Sequence, residues 1–226
     1  MTTGYGRDKM LSVKDVIFDL DGTLIDSSAG IIRSFRYAFR KLGEPPPEEA
    51  VLISRIGPPL LDTFRFFFPG DEARAQEGVR LYRERYAVAG WRECEPYPYV
   101  TECISALISA GMRLALATSK PEPYALEIMR HNGFLDSFSV VVGSRLDNSF
   151  DGKAEIIGKA LMLLDADPAD AVMVGDRRHD IVGAKKNGIL SVGYLGGFAA
   201  EGELEEAGAD FLAKDHRELR RMLCAM

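Results

Sequence analysis

Apolar runs of strand length recur along the chain at Val13–Leu20, Met112–Ala117, Phe138–Val142, Ala171–Val174 and Ile189–Tyr194, with a weaker run at Asp210–Ala213. Between most of them the apolar residues return at helical spacing. Val100, Cys103, Ile104, Leu107 and Ile108 form one stripe, stopped by Gly111, and Ile156, Ile157, Ala160, Leu161 and Leu164 form another. Spacings of i, i+3 and i+4 put such residues on one face of a helix. Strands that alternate with helices predict an α/β fold, a parallel sheet covered by helices on both faces.

One interval breaks the alternation. The first strand ends near Leu20 and the next strong one begins near Met112. A crossover with one helix needs on the order of 10–15 residues plus loops, far less than this gap. The gap reads as helical throughout. Ile31, Phe35, Ala38 and Leu42 make one stripe, ended by Gly43 and Pro45–Pro47. Leu60, Phe64, Phe67 and Phe68 suggest a second helix, and Val79, Tyr82 and Tyr86 a third. The expected organisation is a helical domain at residues 25–96 inserted into a core made of residues 1–24 and 97–226. Phe64, Phe66, Phe67 and Phe68 are expected in the core of that insertion.

Bulk composition narrows the function. The net charge of −6 argues against a sequence-independent binder of nucleic-acid polymers, which needs a basic footprint. Cys94, Cys103 and Cys224 are too few and too scattered for a disulfide framework or a zinc pattern, and fit reduced thiols in a cytoplasmic protein. The first ten residues lack the apolar core of a signal peptide, and no apolar run is long enough to span a membrane.

The chemistry gathers where strands end. Ligands of open parallel sheets bind outside the carboxyl ends of the strands. The first run closes in "DLDGT", with Asp19 and Asp21 two residues apart and so on one side of an extended chain. The second closes in Thr118, Ser119 and Lys120, and the fourth in "VGDRRHD", which holds Asp176 and Asp180. The stretch "FDGKAEII" sets Lys153 at an expected helix start. At an effective dielectric near 20, two carboxylates about 4 Å apart repel by about 4 kcal/mol. A hard divalent cation relieves that, and an open site with few carboxylates suits Mg²⁺ with a phosphate in its remaining positions. With the metal present the first pair can divide its roles. Asp19 can attack phosphorus, and Asp21 can protonate the leaving oxygen and then activate water. A calcium loop is excluded, because its sixth and twelfth positions would be Leu24 and Gly30 instead of Gly and Glu. Taken singly, Thr118 is an ordinary strand-end hydroxyl, Lys153 a solvated lysine, and Asp176 with Asp180 a helix N-terminal charge pair. The combination is far more specific than any member.

That combination resembles the haloacid dehalogenase superfamily, in its phosphatase branch with a helical cap. The first motif of that family is matched by Asp19-Leu20-Asp21-Gly22-Thr23, the second by Thr118, the third by Lys153 and the fourth by Gly175-Asp176-Arg177-Arg178-His179-Asp180. The resemblance implies a Rossmann-like core and a phosphoaspartyl intermediate. It implies catalytic roles for Asp19, Asp21, Thr118 and Lys153. It implies that Mg²⁺ is held by Asp19, the main-chain carbonyl of Asp21 and Asp176. Asp180, about one turn into the following helix, is expected in the same metal site, on metal waters or on Lys153. Thr118, Ser119, Lys153 and Gly22 are the expected phosphate-binding residues. The acid at Asp21 disfavours dehalogenation.

Specificity is expected in the insertion. Arg55, beside the stiff Gly57-Pro58-Pro59 loop, is the candidate for a second anionic group of the substrate, with a plain surface arginine as the alternative. The expected activity is hydrolysis of a small soluble phosphate monoester, of the phosphoglycolate or 5′-nucleotide type, by a monomer or weak homodimer. A sugar phosphomutase of the same fold is the nearest alternative. A phosphate-accepting signalling domain and a non-catalytic binding module are disfavoured, because Asp21 and every other catalytic position is filled.

Overall fold

The computed structural model describes residues 13–146 and 152–225 of the chain. Asp15–Phe18 form β1, Ile25–Asp26 β2, Ser28–Lys41 α1, Glu49–Ile53 α2, Leu60–Phe67 α3, Glu72–Val88 α4 and Glu95–Pro96 β3. Then follow α5 (Val100–Ser109), β4 (Arg113–Pro121), α6 (Glu122–His131), β5 (Val140–Ser144), α7 (Lys153–Leu164), β6 (Ala171–Gly175), α8 (Arg178–Lys186), β7 (Leu190–Tyr194), α9 (Glu203–Ala207), β8 (Phe211–Ala213) and α10 (His216–Leu223).

All six expected strands lie in one parallel sheet of order β5-β4-β1-β6-β7-β8. β1 is central and buried along its whole length. Its residues alternate between faces, as a pleated strand must. Val16 and Phe18 join one apolar cluster with residues of α5, α6 and α10, and Ile17 joins the other with α7 and α8. The α/β, Rossmann-like core is therefore as expected. The chain builds outward from β1 through β4 to β5, then returns to the far side of β1 with β6. That reversal is the topological switch point, and a crevice opens there above the strand ends.

The helical residues between β2 and β3 form a separate third cluster. Ile31 and Phe35 of α1, Leu52 of α2, Phe64 of α3, and Val79 and Tyr82 of α4 pack together in it. The Gly43 turn that follows α1 has φ +76°, a left-handed conformation in which glycine meets no Cβ penalty. Two features escape the helical reading of this interval. α2 is a short helix with no stripe of its own. β2 and β3 pair antiparallel, Ile25 with Pro96 and Asp26 with Glu95, so the chain enters and leaves the helices side by side. Strands of two residues carry no periodicity to read. Phe66 also departs from expectation. It is 52% exposed, whereas Phe64 is fully buried. Among the described residues no helix is long and apolar enough to cross a membrane.

Candidate active site

Asp19 follows β1 directly, and its amide still donates to the Val174 carbonyl at 2.9 Å, so the sheet ladder fixes where its side chain starts. Asp176 follows β6 in the same way, and Asp180 lies in the first turn of α8. Asp19, Asp176 and Asp180 are all buried, and each offers a carboxylate oxygen within 4.8 Å of the others. The Lys153 ammonium, at the first turn of α7, reaches Asp19 Oδ1 at 2.7 Å and Asp180 Oδ1 at 2.8 Å.

Electrostatics define what this cluster lacks. Burial drives the Asp176 carboxyl well above the ordinary carboxylate range, and Asp180 and Asp19 push it further. Burial also raises Asp19, against the pull of Lys153. Burial works against the Lys153 ammonium, but Asp180 and Asp19 outweigh it and keep it charged beyond the ordinary lysine range. One ammonium cannot balance three carboxylates. The donor set is all oxygen, compact and dry, which fits a small hard divalent cation.

The surrounding main chain is shaped around the cluster. Gly22 has φ +82°, and a Cβ there would overlap the Asp176 carboxylate. A Cβ on Gly175 would overlap Asp180. Asp176 Oδ2 accepts from the Phe198 amide at 2.7 Å, and its Oδ1 accepts from the Thr23 hydroxyl at 3.2 Å. Asp180 is held at both oxygens: Oδ2 accepts from the Arg177 amide at 3.0 Å, and Oδ1 pairs with the Lys153 ammonium at 2.8 Å. Asp180 is thereby placed to orient Lys153 and the turn that carries Asp176.

A cleft of about 140 Å³ opens beside Asp19, between the strand ends and the helical segment. Asp19, Asp21, Thr118 and Ser119 form its floor, and Phe35, Tyr82, Tyr86 and Tyr124 form much of its wall. Thr118 is buried, and its hydroxyl accepts from the Lys120 amide at 3.2 Å. The Ser119 carbonyl accepts from the Ser144 hydroxyl at 2.8 Å. Arg55 reaches the cleft, but its guanidinium carbon lies 3.7 Å from the centre of the exposed Phe66 ring.

The Asp21 side chain does not join the other three carboxylates. Its Oδ2 pairs with the Lys120 ammonium at 2.8 Å. Its Oδ1 is buried without a hydrogen-bond partner. Thus the four carboxylates split into a triad around Lys153 and a single acid beside Lys120.

The sequence profile described as haloacid dehalogenase-like hydrolase matches residues 16–194, which takes in all four carboxylates, Lys120 and Lys153. The chain belongs to the haloacid dehalogenase-like hydrolases. A 5′-nucleotidase of Pseudomonas aeruginosa is 41% identical over 220 residues, covering 96% of this chain and 98% of that protein. A tyrosine-protein kinase, PtkA, of Mycobacterium tuberculosis is 42% identical over 177 residues, covering 78% of this chain but 60% of that protein. Among solved structures, a predicted phosphatase from Clostridium acetobutylicum superposes with a TM-score of 0.90 at 34% identity, covering 95% of this chain and 99% of that one. The protein is an enzyme of the phosphoric monoester hydrolase type.

Several residues of this hydrolase's cleft escaped the sequence reading. Lys120 is the tail of a strand-end triplet, although a residue two beyond Thr118 on an extended chain shares its side. Tyr86 was legible only as part of a helix stripe. Arg145, which also lines the cleft, carries no signal, because an arginine after a strand is usually solvated.

Proposed function

We propose that the protein is a Mg²⁺-dependent phosphatase that works through an acyl phosphate on Asp19. The observation that carries this reading is the buried triad of Asp19, Asp176 and Asp180 around Lys153. Asp19 and Asp176 would hold the ion, together with the main-chain carbonyl of Asp21. Bound there, Mg²⁺ supplies positive charge that offsets the carboxylates and the transferring phosphoryl group. Lys153 engages Asp19 Oδ1, which leaves Oδ2 to attack phosphorus. As that bond forms, the bond to the leaving oxygen breaks, and Asp21 passes its proton to that oxygen. In the second half Asp21 takes a proton from water, the water oxygen attacks phosphorus, and inorganic phosphate leaves with Asp19 restored. The Thr118 hydroxyl and the Lys153 ammonium hold the phosphoryl oxygens.

The helical segment at residues 25–96 serves as a cap, with the β2–β3 ribbon as its hinge. It closes over the strand ends and keeps water from the first transfer. The substrate class we favour is a nucleoside 5′-monophosphate. The wall of Phe35, Tyr82, Tyr86 and Tyr124 offers apolar surface to a flat base, more than glycolate would use. The 41% identity to a 5′-nucleotidase over nearly its full length supports the same class. Phosphate release from nucleoside 5′-monophosphates, phosphoglycolate and p-nitrophenyl phosphate, with and without Mg²⁺, tests this reading. Higher kcat/KM for nucleotides is the expected result. Preference for phosphoglycolate would overturn the substrate class, and full activity in a chelator would overturn the metal.

A further inference from the structure

Lys120 is a lysine where a lysine is costly. Its side chain is 6% exposed, and buried lysines need partners. It has two. The ammonium meets Asp21 Oδ2 at 2.8 Å and donates to the Tyr86 hydroxyl at 2.7 Å. Three separate segments meet at that one nitrogen. Asp21 stands just beyond β1, Lys120 lies in β4, and Tyr86 belongs to α4 of the helical segment. Tyr86 is itself held firmly. Its ring stacks on Tyr82 with centroids 5.4 Å apart, and meets Tyr124 edge-on at 5.3 Å. Burial keeps its phenol protonated and neutral, so its oxygen is a fixed acceptor for the ammonium.

The two oxygens of Asp21 are therefore inequivalent. Oδ2 is tied to Lys120, and Oδ1 is the buried atom left without a partner. A group that gives a proton to a leaving oxygen must stand within hydrogen-bond reach of it, and a misplacement of ~1 Å costs up to ~100-fold. We propose that Lys120, anchored by Tyr86, is a positioning residue that holds Asp21 by Oδ2 and presents Oδ1 to the leaving group. This rests on the assignment of Asp21 as acid and base. Because Tyr86 comes from the helical segment, the acid is placed only while that segment sits over the strand ends. The ion pair thus links coverage of the site to readiness for proton transfer.

The test uses leaving groups of different need. A p-nitrophenyl leaving group departs without a proton, whereas an alkoxide such as that from glycerol phosphate requires one. The parameter kcat/KM reports only the steps through cleavage of the ester bond. Lys120→Met should lower kcat/KM for the alkyl phosphate by ~10- to 100-fold and for the aryl phosphate by less than ~3-fold. With the aryl phosphate, kcat should fall and covalent phosphate should accumulate on the protein, visible by intact mass, because water activation is impaired. Tyr86→Phe keeps the ring packing and removes only the hydroxyl. It should show the same split, smaller in size, and it carries the test if Lys120→Met does not fold. Equal losses on both substrates in both variants would overturn the proposal. So would a rise in KM alone, which would make Lys120 a substrate-binding group. Asp21→Asn separates the two levels of the argument. If it retains alkyl-phosphate activity, the acid assignment itself fails. If it shows the split and the other two variants do not, only the positioning role is lost.

Discussion

Arg177 donates from its guanidinium to the main-chain carbonyl oxygen of Ile56. The arginine stands between β6 and α8, directly after Asp176, and the isoleucine lies in the Arg55–Leu60 loop of the helical segment. Nε of the same guanidinium pairs with Glu203 at 2.9 Å, so the arginine is braced from the sheet side before it reaches across. Gly57 allows the approach. It has φ +109°, and a Cβ there would stand 3.2 Å from Arg177 Cγ. Hydrogen bonds to charged groups contribute ~1.5–3 kcal/mol. Arg177→Ala should therefore speed amide exchange at Ile56–Leu60 by ~10-fold or more, converting the lower end of that range, and should raise KM. Unchanged protection in that loop would show that the contact holds nothing.

Asp19→Asn separates fold from chemistry. The amide removes one of three clustered buried carboxylates, and burial holds Asp19 itself above the ordinary range. In metal-free protein at neutral pH, thermal stability should stay level or rise. Turnover should fall by more than ~10³-fold, the scale of removing a nucleophile. Activity within tenfold of the parent, by phosphate release, would remove Asp19 from that role.

Asp176 and Asp180 should differ in metal titrations. Asp180 is already paired with a cation, Lys153, whereas the two oxygens of Asp176 meet only neutral donors, the Phe198 amide and the Thr23 hydroxyl. Asp180→Ala should therefore weaken Mg²⁺ binding through lost orientation, by ~10- to 100-fold. Asp176→Ala removes an oxygen proposed to touch the ion directly and should weaken binding more. Calorimetric titration of both variants would reverse the assignment if Asp180→Ala proved the more damaging.

His216 should make folding sensitive to acid. The ring is fully buried between Tyr194, with centroids 4.6 Å apart, and Tyr97 at 6.3 Å. Burial lowers its pKa to about 4, from an ordinary value of 6.5. Between those values the unfolded chain binds a proton that the folded chain excludes. The stability tied to this ring is thus fully present above pH 6.5 and is lost progressively as the pH falls toward 4, a swing of about 3 kcal/mol. Asp19 and Asp176, whose carboxyls are raised, act in the opposite sense. The difference between parent and His216→Leu isolates the histidine. Denaturant midpoints across this range should drop more steeply with acid in the parent than in the variant. Parallel slopes would contradict the assignment.

The sequence by itself determined the features that local geometry controls. An unbroken apolar run becomes a strand buried on both faces, and the first polar residue after it stands at the strand's carboxyl end. That logic alone sets Asp19, Thr118 and Asp176 on one rim of the sheet. The helix start after Gly152 likewise fixes Lys153. Tertiary structure decided the partnerships. Strand order placed β6 beside β1, and only that brought Asp176 and Asp180 to Lys153 and Asp19. Lys120 met Asp21 because β4 also borders β1, and it met Tyr86 because α4 packs down over the strand ends. The reach of Arg177 to Ile56 depends on the same docking. Hydrophobic spacing records which face of an element is buried, but not which element it is buried against. A charged side chain at the rim therefore gains its role from whatever neighbour the packing delivers. Asp21 is the clearest instance. Its spacing from Asp19 reads as a shared metal pair, yet the fold gives its side chain a lysine instead.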